Sequence, residues 1–457
     1  MISLSLSEAA RLLNATLLGP DSTFASVSTD SRNIETGQLF VALSGPNFDG
    51  HNYLPQAQQA GASAAMVRRV VETDLPLLLV EDTLRGLGAL ASIWREKSRA
   101  LVAAITGSNG KTTVKEMLAA IMARKGSVLA TQGNLNNEIG LPLTLLRLQD
   151  EEFAVVEMGA NHPGEIDTLT RIAKPDVALI TNAGRAHLEG FGSVEGVAQA
   201  KGEIINGLSE SGTFVLNADD AYAGLWRKLA GSRSTVSFGF ADLADVSTSI
   251  DKLRPEWRED GFYNCFPVRT PSGEIDVELA LAGIHNCKNA LAAIAMAGVM
   301  GATPGQIRDG LKDVKPVKGR LYPLNGIGGV RVIDDSYNAN PDSVSAAIDV
   351  LTSMVATGQR SFMVLGELAE VGEGVDKVYQ QLGTKAREAG VDRFYAAGAA
   401  SAAAASFGQD GQGFESREQL LEQLKKELRS GDMVLVKGSR SAAMELVVEG
   451  LSQGEEN

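Results

Sequence analysis

Between the apolar run Leu101-Val-Ala-Ala-Ile105 and a second stretch over residues 114–121, the chain reads Thr106-Gly-Ser-Asn-Gly-Lys-Thr-Thr113. The first run predicts a buried strand and the second a helix that opens at Lys111-Thr112-Thr113. A strand, a glycine loop and a helix in that order suit phosphate binding. Gly107, Ser108, Asn109 and Gly110 can turn backbone N–H groups toward an anion, and the helix N-terminus adds positive potential. Lys111 is then placed to reach the terminal phosphates of a nucleotide, and the Thr112 hydroxyl to meet Mg²⁺. The loop is shorter than the usual spacing, because Ile105 stands where the first glycine is expected.

Two further stretches carry matching chemistry. Phe153-Ala-Val-Val-Glu-Met158 reads as a buried strand ending in the carboxylate of Glu157. Residues 177–180 read as another, followed by a polar tract, 181–193, that holds His187. Ligands of open α/β sheets lie beyond the carboxyl ends of the strands, so Glu157 and His187 belong to the same edge as Lys111. A solvated strand-end carboxylate and a loop histidine bonded to a carbonyl are the plainer alternatives. Lys201, in a predicted helix from Val197, reads by itself as a surface lysine. Asn286 and Asn289 lie three apart just before a small-residue helix from Ala290, and so share one face. Each amide offers a donor and an acceptor, which suits a purine edge and suits helix capping equally.

These groups need a scaffold, and the pattern of the chain supplies three units. Residues 1–82 alternate short helices and strands: a helix over 7–13 with Ser7 as N-cap, strands at 27–32, 38–43, 64–67 and 77–80, and a helix over 53–60. The polar tracts Asp30-Ser31-Arg32 and Asn47-Phe-Asp-Gly-His51 have the composition of turns. Residues 83–313 set strands before helices, which implies a mostly parallel sheet. Residues 314–457 repeat strand–glycine–helix units, with strands at 330–333, 361–365, 393–396 and 432–436, and describe a doubly wound sheet. The absence of any G-x-G-x-x-G argues against NAD binding there.

At 457 residues the chain exceeds one ordinary core. Its 44% apolar and 21% charged residues are those of a soluble globular protein. A net charge of −14 argues against nucleic acid or an anionic membrane as the main partner. Cys265 and Cys287 are too few for a disulfide framework, and the N-terminus lacks the order of a secretion signal. No apolar run approaches the roughly 18 residues of a membrane span. A cytoplasmic protein without stable membrane insertion is expected.

The motifs TGSNGKTT (106–113), GNLNNEIGLPLTLL (133–146), EMGA (157–160), NAGRAHLEGFGS (182–193), AKGEI (200–204), HNCKNALAA (285–293) and DDSYNANPDS (334–343) together resemble the Mur ligases of bacterial cell-wall synthesis. They fall in the family's order and span all three units. The STDSR…GQLFVALSGPNFDGH pattern, DSYNANPDS and LGELAEVG look like the member that adds a terminal dipeptide. The D-N-P-R signature of the diaminopimelate- or lysine-adding member is missing, as is the N-terminal glycine-rich loop of the earlier-acting ones.

That resemblance implies an α/β fold of three domains. These are a small N-terminal αβ uridine-binding unit (1–82), a central mostly parallel P-loop-type ATPase sheet (83–313) and a C-terminal doubly wound Rossmann-like sheet (314–457). It implies an ATP-dependent ligase joining D-Ala-D-Ala to UDP-MurNAc-tripeptide through an acyl phosphate. Thr112 and Glu157 would then hold one Mg²⁺. His187 would serve a second with Lys201, at the position where the family commonly carries a CO₂-derived carbamate. Asn286 and Asn289 would read adenine, while Arg320 and Asp335 approach ribose and phosphates. Asp30, Ser31, Asn47 and His51 would face the uridine end, and Asn136 and Asn137 the diphosphate and sugar. Tyr337, Asn338 and Asn340 would face the dipeptide. A monomer is expected. The rivals are a ligase of the folylpolyglutamate synthase type and a nucleotide-binding module without ligase activity. A uridine-type first unit argues against the former, and two implied metal sites argue against the latter.

Overall fold

The computed structural model describes residues 2–258, 261–355, 358–369 and 374–452, which build three principal sheets with helices packed on them. In the first sheet Val27–Ser28, Leu39–Val41, Ala64–Val67 and Leu77–Leu79 run parallel, and Thr16–Leu18 closes one edge antiparallel. The strand at Val27 stops earlier than expected because Asp30 bends the chain, its Oδ1 accepting the Arg32 N–H at 3.0 Å. The helix Leu6–Leu13 likewise starts earlier: Ser5, not Ser7, accepts the Glu8 N–H at 3.1 Å, and Ser7 turns its hydroxyl to Asp21. Nor is 47–51 a bare loop. Phe48–Asp49 pairs with Ser44–Gly45, and Gly50–Tyr53 forms a 3-10 turn before the helix Leu54–Gln59.

The second sheet places its parallel strands in the order Val128–Ala130, Phe153–Glu157, Leu101–Thr106, Val177–Ile180, Thr213–Asn217, Ser234–Gly239 and Val246–Ser247. An antiparallel ribbon of Arg254–Arg258, Gly261–Thr270 and Gly273–Leu279 extends the far edge. Both faces are covered, which is why these strands read as unbroken apolar runs. Val102, Ala104, Val156 and Ile180 enter one core with the helices Thr83–Lys97 and Glu165–Ala173. Ala103, Ile105, Val155 and Leu179 enter the other with Lys111–Ala123 and Ile284–Val299. The helix Thr83–Lys97, capped by Asp82, ties the first sheet to the second. Its Trp94 is fully buried, lies 6.4 Å from the Phe24 ring and donates its indole N–H to the Leu148 carbonyl at 2.8 Å. Burying such a ring contributes roughly 2–3 kcal/mol, so the two sheets are joined by a shared core rather than by a linker.

The third sheet runs Tyr322–Asn325, Arg331–Asp335, Met433–Lys437, Ser361–Leu365, Arg393–Ala397 and Gly411–Phe414, parallel except for its first strand. Ile333, Met363, Phe394 and Leu435 face one helical layer, and Val332, Phe362, Tyr395 and Val434 the other. The sheet is therefore doubly wound. Residues 370–372 of the LGELAEVG motif lie outside the described residues. Among the described residues no helix is long and apolar enough to cross a membrane.

Candidate active site

The strand Leu101–Thr106 delivers the glycine loop to the carboxyl edge of the second sheet, and the loop fits that edge with no space to spare. Gly107 has φ +144°, and a Cβ on it would lie 1.9 Å from Thr181 Oγ1. Gly110 has φ +83°, and its Cβ would lie 2.4 Å from Asn289 Oδ1. Both positions require glycine. The neighbouring tract braces the loop: Thr181 Oγ1 donates to the Asn109 carbonyl at 2.6 Å, and Asn182 Oδ1 accepts the Asn109 N–H at 3.0 Å. Ser108 Oγ accepts the Gly184 N–H at 2.9 Å. Thr181, Asn182 and Gly184 were not singled out from sequence, although their place directly after a strand on this edge was a signal for them.

At the head of the helix Lys111–Ala123, the Lys111 ammonium folds back to the Gly107 carbonyl at 2.6 Å. Burial pushes its pKa down, the nearby Glu157 charge opposes that, and Arg320 adds to it. Thr112 Oγ1 donates to Glu157 Oε2 at 2.9 Å and accepts from the Arg320 guanidinium at 3.0 Å. Glu157 is 3% exposed, and its other oxygen accepts the Asn136 amide at 2.7 Å. Asn137 spends its amide oxygen on the N–H groups of Ile139 and Gly140. A lysine, a hydroxyl, a carboxylate and a guanidinium from two sheets thus meet at one point.

His187 heads the short helix Leu188–Phe191 in a left-handed conformation, φ +54°. Lys201, on the helix Val194–Gly202, is no surface residue: it is 1% exposed, 5.2 Å from the Phe191 ring centroid and 3.5 Å from the Ala160 carbonyl. Burial, with the Lys111 charge adding to it, brings its pKa down to about 7. The helix Ile284–Val299 begins before the alanine run, so Asn286 and Asn289 occupy its opening turns. Their amides bond locally, Asn286 Nδ2 to the Ala282 carbonyl (2.8 Å) and Asn289 Nδ2 to Asn286 Oδ1 (3.0 Å).

A cleft of about 1220 Å³ between the second and third sheets gathers these groups except Gly107 and Lys201, which are not among its lining residues. Ser108 to Thr113, Asn136, Asn137, Glu157, His187, Asn286 and Asn289 line it from one side, and Arg320, Asp335, Tyr337, Asn338 and Asn340 from the other. Asn340 is the cap of the helix Pro341–Met354 and also donates to Asn109 Oδ1 at 2.8 Å. Asp342 accepts the Arg185 backbone N–H at 2.7 Å and its guanidinium at 2.9 Å. Among the described residues none before Ser108 lines the cleft, so Asp30, Ser31, Asn47 and His51 are not brought to it. Asp30 pairs with Arg32, which draws its pKa down to about 2, and Ser31 Oγ donates to Gln56 Oε1 at 3.0 Å. His51 is 2% exposed, with Nδ1 2.6 Å from Asp49 Oδ1 and Nε2 accepting the Arg68 N–H at 3.0 Å. With both ring nitrogens engaged, His51 braces its own turn and offers no atom to a ligand.

Models of three Mur ligase domains match nearly the whole chain: the Mur ligase family catalytic domain over residues 23–125, the Mur ligase middle domain over 105–297 and the Mur ligase glutamate ligase domain over 319–440. The UDP-N-acetylmuramoyl-tripeptide–D-alanyl-D-alanine ligase of Escherichia coli K12 is 44% identical over 99% of both chains. This chain belongs to the Mur ligase family. Crystalline MurF from Acinetobacter baumannii superposes with a TM-score of 0.91 at 33% identity, covering 98% of each chain. The MurF ligase of Thermotoga maritima in complex with ADP gives 0.80 at 30% identity, covering 93% of this chain and 96% of that one.

In this Mur ligase the donors at the cleft are hard oxygens and a buried amine. Among the described residues no three His, Cys, Asp or Glu side chains come together as a metal cage. Thr112 Oγ1 beside Glu157 Oε2 instead offers one hydroxyl and one carboxylate, the partial oxygen set that Mg²⁺ accepts when substrate phosphates complete its shell. The donors fit the ion. The pairing of Arg185 with Asp342, 157 positions apart, had no signal in the sequence.

Proposed function

We propose that this Mur ligase joins the amine of D-Ala-D-Ala to the terminal carboxylate of UDP-MurNAc-tripeptide with conversion of ATP to ADP and phosphate. The observation that carries the proposal is the meeting of Lys111, Thr112, Glu157 and Arg320 at one strand edge, in a chain 44% identical along its length to a ligase of that name. A carboxylate does not acylate an amine, because oxide does not leave. Transfer of the γ-phosphoryl group onto it gives an acyl phosphate, and attack by the neutral amine then expels phosphate.

The first step brings two anions together. At 4 Å two unit charges repel by about 4 kcal/mol at an effective dielectric near 20. Lys111 and Arg320 offset that repulsion from the two sides of the cleft, and the N-terminus of the helix Lys111–Ala123 faces the transferred group with its positive potential. Mg²⁺, when bound, neutralises phosphate charge, with Thr112 and Glu157 as its holders and His187 and Lys201 serving a second ion. Lys201 supports that role as a carbamate. An ammonium would repel a cation, whereas a pKa near 7 leaves the neutral amine that CO₂ requires. Asn286 and Asn289 face the nucleobase, and Asp335 the ribose. Tyr337, Asn338 and Asn340 lie on the dipeptide side. Asn136 and Asn137 lead toward the sugar diphosphate, and Asp30, Ser31 and Asn47 of the first unit meet the uridine. The working units are 1–82, 83–313 and 314–457, and the enzyme acts in the cytoplasm. Closure of the cleft keeps water from the acyl phosphate.

The decisive measurement is phosphate release with UDP-MurNAc-tripeptide, with and without D-Ala-D-Ala, against folate plus glutamate. Release that depends on both cell-wall substrates is the expected result. Release with folate and glutamate instead would transfer the chain to the rival ligase, and none with either pair would leave a binding module.

A further inference from the structure

Lys437 ends the strand Met433–Lys437, stands opposite Asp335 in the parallel pairing and is 3% exposed. Its ammonium donates to Asp335 Oδ2 at 2.7 Å and to the Asn338 carbonyl at 2.9 Å. The other carboxylate oxygen of Asp335 accepts the N–H of Leu321 at 3.2 Å. Leu321 is buried and has φ +50°, the left-handed region that a leucine rarely adopts. The backbone immediately after Arg320 is therefore strained and held from outside.

The same turn is clasped at other points. Gly319 donates its N–H to Asp334 Oδ2 at 3.0 Å and accepts the Tyr337 N–H at 3.1 Å. The Arg320 guanidinium lies 4.5 Å from the Tyr337 ring centroid and reaches across the cleft to Thr112 Oγ1. Asp334 and Tyr337 are neighbours of Asp335 in the chain, so whatever fixes Asp335 fixes the whole clasp.

We infer that Lys437 is a positioning residue of the proposed ligase: through Asp335 and the left-handed backbone of Leu321 it aims the Arg320 guanidinium at the Thr112 hydroxyl of the phosphate loop. The inference rests on the ATP-dependent reading of that loop. Without Lys437 the Asp335 carboxylate, only 13% exposed, loses the ammonium bonded to it. Leu321 is then free to relax toward ordinary φ, which reorients the turn carrying Arg320. Lys437 need not touch the nucleotide for this to weaken nucleotide binding.

The test is a double-mutant cycle on the full chain, with calorimetric Mg·ADP binding and phosphate release as separate readouts. Lys437→Met and Arg320→Ala are each expected to weaken ADP binding and slow release by about tenfold, the loss typical of one charge-assisted hydrogen bond. The double variant is expected to match Arg320→Ala within about twofold, because one residue works through the other. Multiplied effects would make Lys437 an independent contact and overturn the inference, as would wild-type ADP affinity in Lys437→Met. Should Lys437→Met not fold, Lys437→Gln asks the same question with a polar but uncharged partner for Asp335. Its effect should again vanish in the Arg320→Ala background. A wild-type chain that binds no ADP sinks the loop reading and this inference together. One that binds ADP but shows multiplying variants sinks the inference alone.

Discussion

The phosphate loop and the Asp334–Asn340 tract face each other across one cleft and are put together in opposite ways. The loop takes its geometry from within its own sheet: Lys111 bonds to Gly107, Thr112 stands at the first turn of the helix that the loop opens, and Thr181 and Asn182 brace Asn109. The tract works through distant partners, Asn340 to Asn109 across 231 positions and Asp335 to Lys437 across 102. The loop side of the proposed site is thus built within the second sheet apart from the Arg320 and Asn340 contacts, while the facing side is present only when the third sheet is docked.

The sharpest way to break that comparison is Lys111→Ala. Phosphate release should fall by roughly 10³-fold or more, with Tm nearly unchanged because no core contact is lost. Near-normal turnover would move the chemistry away from the loop. Next is Lys201→Ala, expected to be inactive in phosphate release and partly restored by acetate, which supplies the missing anionic oxygens. Full activity without acetate would remove the carbamate.

Smaller effects belong to the docking contacts. Arg185→Ala and Asp342→Asn should each raise the KM for ATP about two- to fivefold with kcat little changed. Their coupling should be about 0.5–1 kcal/mol, since the pair is 40% and 35% exposed and screened by solvent. Coupling that survives 1 M salt would contradict an electrostatic latch.

The mildest test concerns His285, which lies where the two regions meet. Burial, helped by the Lys437 charge, holds its pKa down to about 4 against an ordinary 6.5. The unfolded chain takes up this proton as pH falls below 6.5, and the folded chain does so only near 4. Stability is therefore lost as pH drops through that window. In His285→Gln the fall in Tm between pH 6.5 and 4 should be shallower, and an unchanged slope would place the acid sensitivity elsewhere.

How much was legible follows the same division. Strand Leu101–Thr106, Glu157 at its strand end and the glycine loop were readable because period, capping and turn chemistry act over a few residues. Ser5 and Ser7 offer the same hydroxyl two positions apart, so the cap is ambiguous in the sequence, and the pairing of Ser7 with Asp21 leaves Ser5 as the cap. The alanine run hid the true start of the helix Ile284–Val299, because polar residues on one face still pack when the opposite face is buried.

The order of strands and helices, the three-unit plan and the strand–loop–helix that carries the proposed phosphate loop were determined by sequence alone, since each rests on neighbours in the chain. The burial that lowers the Lys201 pKa, the two engaged nitrogens of His51 and the hold of Lys437 on the turn at Leu321 were decided by tertiary structure. Desolvation and hydrogen-bond partnership depend on what arrives from elsewhere in the chain, and no local pattern encodes that.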